Sequence, residues 1–199
     1  MSLAAIVPVR SFCGAKQRLA THLDDADREH LARDLTIGVL VALADLPTYV
    51  VTGDAEVAQL VATHGATTVE DPGSGLDAAV DAAADVARRA GYRRVLIAHS
   101  DLPFPTDLPD VAAEHQPGEV LLVPDRHDDG TNVILMPTTP GFRTSYGPGS
   151  FQRHVGEAHR NGLRPHIIRH DLLGWDVDIP EDLDTPPAWG VPSWRAVRR

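Results

Sequence analysis

The sequence predicts an α/β fold: a three-layer α/β/α sandwich around a mainly parallel sheet. Three observations predict it. Short all-apolar runs recur along the chain, segments of helical periodicity separate most of them, and glycines close those segments. All-apolar strands belong in a sheet covered on both faces, and helices between them supply the cover through βαβ crossovers. At 199 residues, 43% of them hydrophobic, the chain has room for one substantial core. We therefore expect one domain over residues 1–185 and a C-terminal tail over 186–199.

The elements follow in order. "AAIVPV" is the first strand. "DDADREHLARDLTIGVLVALADL" is a helix that Asp24 or Asp25 can cap. "TYVVTG" is a strand, "DAEVAQLVATHG" a helix stopped at Gly65, "ATTVED" a strand, and "GLDAAVDAAADVARRAG" a helix stopped at Gly91. "RRVLIAHS" is a strand whose following helix, about Asp107 to His115, takes Asp107 as its cap. "EVLLVPD" and "TNVILMP" are strands, "SFQRHVGEAHRNG" is a helix, and "RPHIIRH" is the last strand. The tail "TPPAWGVPSWRAVRR" reads as a strap that lies on the body or reaches a partner subunit.

Bulk properties remove several function classes. A formal charge of −10 is wrong for coating nucleic acid, which requires a basic face. No apolar run is long enough to span a bilayer, and the N-terminus lacks a secretory layout. Cys13 is the single cysteine, so no internal disulfide can form and a cytoplasmic home is expected. A homo-oligomer is left open.

In such a fold ligands bind at the carboxyl ends of the strands, which points to the loops there. The first, "PVRSFCGAKQRLA", sets Arg10, Lys16 and Arg18 among small residues, as a polyphosphate site or as a solvated basic loop. The second, "VEDPGSGLDAAV", places Asp71, Gly73, Gly75 and Leu76 where a helix opens, either for close approach of a ligand or as a plain turn. In the third, "HSDLP", Pro103 keeps Leu102 extended, so Asp101 projects from the strand tip toward the cleft. An anion so placed needs a positive partner or a metal. In "GWDVDIPEDLD", Asp176 and Asp178 alternate across Val177 and point to one side. Together with Asp101 they make an all-oxygen site of the kind Mg²⁺ prefers, although Asp178 could instead cap a helix begun by Pro180. Gly130-Thr131-Asn132 and Gly147-Pro148-Gly149-Ser150 offer hydroxyls and backbone N–H groups to a smaller phosphate or carboxylate. Ten histidines lack zinc spacing, and no Gly-x-Ser-x-Gly elbow is present.

Taken together, "VPVRSFCGAKQRLA", "DPGSGLDAAV", "SDLP", "DDGTN", "FRTSYGPGSFQRHVGEA" and "DVDIPEDL" resemble one family. These are the guanylyltransferases that join GTP to phosphoenolpyruvate or 2-phospho-L-lactate in coenzyme F-420 biosynthesis. The resemblance implies a nucleotide-diphospho-sugar transferase-like fold and Mg²⁺ as cofactor. By position it implies that Lys16 and Arg18 bind the GTP phosphates and that Asp101 and Asp178 bind the metal. It puts Asp71 to Leu76 near the guanosine, and Thr131, Gly147 and Ser150 around the phosphorylated three-carbon acid. Arg10 replaces the usual lysine, Asp77 a frequent asparagine, and Asp128-Asp129 smaller residues. "DLP" is shared with molybdenum-cofactor guanylyltransferases, which makes another nucleotidyltransferase of this fold the alternative. A non-catalytic nucleotide-binding module is the third reading, and paired carboxylates opposite a basic loop speak against it.

Overall fold

Runs such as Ala4–Val7 and Val95–Ala98 cannot face water on either side, and in the computed structural model, which describes residues 2–139 and 141–196, both are fully buried. The sheet has seven strands: β1 (Leu3–Pro8), β2 (Thr48–Thr52), β3 (Thr67–Glu70), β4 (Arg94–Ala98), β5 (Glu119–Pro124), β6 (Thr131–Pro137) and β7 (Arg164–Ile167). Their order is β3-β2-β1-β4-β6-β5-β7. All pairings are parallel except those of β6, which runs antiparallel to both β4 and β5. The reversal follows from chain length: only residues 125–130 join β5 to β6, too few for a crossover helix.

Side-chain alternation splits the core in two. Ala5, Val7, Leu96 and Leu121 face the helices α1 (Asp25–Ala42), α2 (Ala55–Thr63) and α4 (Leu108–Ala113). Ala4, Ile6, Val95 and Ile134 face α3 (Leu76–Arg89) and α5 (Ser150–Arg160). Asp24 caps α1, accepting from the Asp27 N–H at 2.8 Å.

Asp107 does not cap α4, contrary to the sequence reading. A 3-10 turn over Pro105–Asp107 runs straight into the helix, and the Asp107 carboxylate turns to His170 at 3.3 Å. Pro180 begins a 3-10 turn (Pro180–Leu183) rather than a longer helix, and Asp178 is not its cap. The tail lies on the body: a short helix, α6 (Ser193–Ala196), packs on α1. Residues 197–199 of that tail lie outside the described residues.

Candidate active site

The loop after β1 is shaped by anchors behind it. Phe12 is buried, and the Ser11 hydroxyl donates to Asp54 at 2.7 Å. The buried Arg28 guanidinium donates to the carbonyls of Ala15 (3.3 Å) and Leu23 (2.9 Å) and pairs with Asp25. Held on both sides, the chain passes Lys16 through the left-handed region at φ 52°, a conformation that is rare for side chains bearing a Cβ. The Lys16 Nζ then reaches Asp101 Oδ2 at 2.7 Å and Asp178 Oδ1 at 3.0 Å. Arg18 lies outside it, 3.6 Å from Asp178.

Asp101 stands just beyond the tip of β4. Its carbonyl accepts from the Val177 N–H at 3.2 Å, which brings the two acidic segments side by side. Val177 is fully buried, so its neighbours Asp176 and Asp178 share the opposite side. One oxygen of each carboxylate lies within 4.8 Å of the others. The Asp182 carboxylate holds the last segment, accepting from the Asp178 N–H at 2.6 Å and the Ile179 N–H at 2.8 Å. Asp182 in turn pairs with Arg126, whose guanidinium stacks 4.0 Å from the Trp175 ring centre.

The electrostatics set one buried ammonium against three carboxylates. Burial alone would lower the Lys16 pKa, but the charges of Asp101 and Asp178 outweigh it and hold the ammonium above its usual range. Burial would likewise raise Asp101, yet Lys16 keeps it below the ordinary carboxylate range. Asp176 makes no ion pair among the described residues: burial, then repulsion from Asp101 and Asp178, push it up to about 7 against the smaller opposing pull of Asn132 and Lys16. A buried oxygen, Asp101 Oδ1, makes no hydrogen bond among the described residues.

Arg10 joins this acidic and basic patch to a cavity of about 530 Å³ at the ends of β1 and β2. Asp71, Gly73, Gly75 and Leu76 form one wall, and Tyr146 and Gly147 another. Asp71 accepts from the Gly73 N–H at 2.8 Å, and Gly75 precedes α3 at φ 99°. Asp77 joins the walls by accepting the Tyr146 N–H at 2.9 Å, a role the sequence did not suggest.

The three residues assigned to the acid are not equivalent. Gly147 lines the cavity, whereas Thr131 and Ser150 are each 1% exposed. The Thr131 hydroxyl is 3.0 Å from His154 Nδ1, while His154 Nε2 accepts the Ser145 N–H at 2.8 Å. Nε2 is therefore unprotonated, and Nδ1–H donates to Thr131. Burial lowers the His154 pKa to about 4, consistent with that neutral ring. The start of α5 is already engaged by Asp129, whose carboxylate accepts from the Gly149 N–H at 3.1 Å and whose carbonyl accepts from the Phe151 N–H at 3.0 Å. Asp128 turns away to Arg169 at 3.0 Å.

A cationic loop facing three carboxylates at the strand ends, beside a cleft of nucleoside size, suits the class of nucleotidyltransferases. Comparison with known proteins narrows the class. A family profile described as "Guanylyl transferase CofC like" matches residues 3–185. The phosphoenolpyruvate guanylyltransferase of Roseiflexus castenholzii is 39% identical over 92% of this chain and 87% of its own length. That of Sphaerobacter thermophilus is 34% identical over 92% of each. A crystal structure of a nucleotide-diphospho-sugar transferase candidate from Desulfovibrio desulfuricans G20 superposes with a TM-score of 0.78 at 20% identity, covering 100% of this chain and 95% of that one. The chain belongs to the CofC-like guanylyl transferase family.

Proposed function

We propose that this protein transfers GMP from GTP to phosphoenolpyruvate, releasing pyrophosphate, in the biosynthesis of coenzyme F-420. Residues 1–185 are taken as the catalytic domain. The observation that carries the reading is Lys16 Nζ within 3.0 Å of carboxylates from two distant segments, beside a nucleoside-sized cleft, in a chain of this family.

Asp101, Asp176 and Asp178 fit a divalent cation. Three hard oxygen donors converge, two of the carboxylates repel a third, and a buried oxygen of Asp101 lacks a hydrogen-bond partner among the described residues. They would hold Mg²⁺, which when bound supplies positive charge for the triphosphate and the departing pyrophosphate. The chain's own groups do the rest. Guanosine lies between the Asp71–Leu76 wall and Gly147, and Arg10 faces its phosphates. Lys16 and Arg18 take up the charge that develops on pyrophosphate, and their benefit is greatest where water is excluded. The acid sits against the Gly147 turn, with Thr131 and Ser150 shaping that wall from behind. Its phosphate oxygen is deprotonated at neutral pH and attacks the α-phosphorus in line, so the site needs orientation rather than a general base. A reducing cytoplasm suits a protein whose single cysteine, Cys13, is exposed. No helix among the described residues is long and apolar enough to cross a membrane.

Mass spectrometry after incubation with GTP, Mg²⁺ and a mixture of phosphoenolpyruvate and 2-phospho-L-lactate tests the reading. The guanosine diphosphate ester of phosphoenolpyruvate is expected. An adduct of phospholactate alone reassigns the acceptor, and no adduct with either overturns the proposal.

A further inference from the structure

The family match ends at residue 185, yet the chain beyond it reaches the three segments that bear Lys16 and Arg18, Asp101, and Asp176 and Asp178. Trp194, on α6, is buried in one apolar cluster with Leu19, Leu31, Leu35 and Val177. Leu19 directly follows Arg18, and Val177 separates Asp176 from Asp178. The Ser193 N–H donates to the Pro103 carbonyl at 2.8 Å, two residues past Asp101. Upstream, Trp189 packs edge-on against Phe104 and against Trp175, the neighbour of Asp176, with centroids 5.8 and 5.3 Å apart.

The body accommodates this strap at a specific point. Gly38 sits inside α1, where glycine is a poor helix former, and a Cβ there would lie 2.4 Å from Ser193 Cβ and 2.7 Å from Ser193 Oγ. The absent side chain is what lets the strap lie flat on the helix. The basic loop also meets the two acidic segments through the Lys16 and Arg18 ion pairs, and those must open when a triphosphate and a cation enter.

We propose that the strap over residues 187–196 is a positioning element. Through Trp194, Trp189 and the Ser193 N–H it fixes the spacing of the Lys16–Arg18 loop, Asp101 and the Asp176–Asp178 segment once those ion pairs have opened. This rests on the guanylyl-transfer reading, so the test includes a measurement independent of turnover.

Gly38→Ala in the full chain displaces the strap while improving the helix beneath it. Ser193→Gly added to it removes the clashing atoms, and Ser193 Oγ has no hydrogen-bond partner to lose among the described residues. Trp194→Ala and Trp194→Phe bracket the apolar contact. Four readouts apply: thermal melting, Mn²⁺ affinity by electron paramagnetic resonance without nucleotide, kcat, and KM for GTP. Gly38→Ala should stay folded but melt a few degrees below wild type as Trp194 loses its contacts, bind Mn²⁺ roughly tenfold more weakly and lose about ten- to a hundredfold in kcat, the scale set by ångström misplacements. Its KM for GTP should move less, because the nucleoside wall lies elsewhere. Gly38→Ala with Ser193→Gly should recover both losses, and Trp194→Phe should retain more than Trp194→Ala. If Gly38→Ala keeps wild-type kcat and Mn²⁺ affinity, the strap is only a cover and the proposal fails, whether or not Trp194→Ala folds. If wild type makes no adduct, the functional reading falls, and Mn²⁺ affinity alone still decides the role of the strap.

Discussion

Asp176→Asn should make the protein more stable in chelator-treated buffer at neutral pH, although it removes a site carboxylate. Burial and the charges of Asp101 and Asp178 raise the Asp176 pKa from 3.8 to about 7. The sign follows from linkage. As pH rises past 4 the unfolded chain releases this proton first, so between about pH 4 and 7 the folded chain binds more protons and loses stability as pH increases. The full cost is present above pH 7. A gap of about three units, at about 1.4 kcal/mol each, gives a ceiling of about 4 kcal/mol. Water reaching this half-buried group reduces that to about 1–2 kcal/mol. A carboxamide keeps the shape and can still accept from Asn132 Nδ2, 3.4 Å away. Melting curves of both proteins from pH 4 to 8 in EDTA should coincide near pH 4 and separate by about 2–6 °C at pH 8. Comparing at each pH cancels His154, whose depressed pKa destabilises both proteins as pH falls from 6.5 toward 4. Saturating Mn²⁺ should reverse the order, since it stabilises the form that binds it better. A variant less stable at pH 8 in EDTA, or a separation that does not change with pH, refutes the argument.

Other substitutions test the remaining parts. Asp101→Asn and Asp178→Asn should each remove most turnover, and wild-type rates in either at saturating Mg²⁺ refute the metal assignment. Lys16→Met should abolish GMP transfer yet tighten Mn²⁺ binding in the absence of nucleotide, because the ammonium occupies the position between two carboxylates. Weaker Mn²⁺ binding by titration calorimetry contradicts that competition. His154→Gln should flatten the acid limb of the stability profile between pH 6.5 and 4, at the expense of the donor to Thr131. An unchanged limb means that another group titrates there.

What could be read from the sequence was what local rules constrain. Apolar runs placed the five inner strands, because burial on both faces permits few residues, and glycine stops at positive φ helped bound the helices between them. The edge strands β3 and β7 are largely exposed and were legible only from their place in the alternation. The carboxylates were legible from local rules too: Pro103 bars a helix from starting at Leu102, although Asp101 itself lies in a turn, and a single buried Val177 forces its flanking aspartates to one side. Relations between distant segments left no such trace. Nothing local distinguishes Arg28, which grips the Ala15 carbonyl, from any helix-surface arginine. Asp107 has the residue type and place of a cap but was drawn to His170 across the fold. The reversal of β6 depends on a connection length rather than on the strand's own pattern. Thr131 and Ser150 matched a ligand loop by residue type, yet packing turned Thr131 toward His154 and buried both.

The charge of −10 and a triphosphate substrate are reconciled once the site is taken as one network. Field lines matter locally, and Arg10, Lys16 and Arg18 face the cleft whatever the surface elsewhere carries. The acidic cluster opposite does not repel the nucleotide outright, because Lys16 already pairs with two of its members and offsets part of their charge, and Asp176 holds a proton part of the time at neutral pH. On the proposed reading, a nucleotide arriving with its own divalent cation would replace both devices together. Asp101, Asp176 and Asp178 would hold the cation, Asp176 would release its proton, and Lys16 would turn to phosphate oxygens. Metal and triphosphate should therefore bind more tightly together than simple chelation in solution accounts for. That coupling should fall in Lys16→Met, where no side chain remains to be handed from one partner to the other.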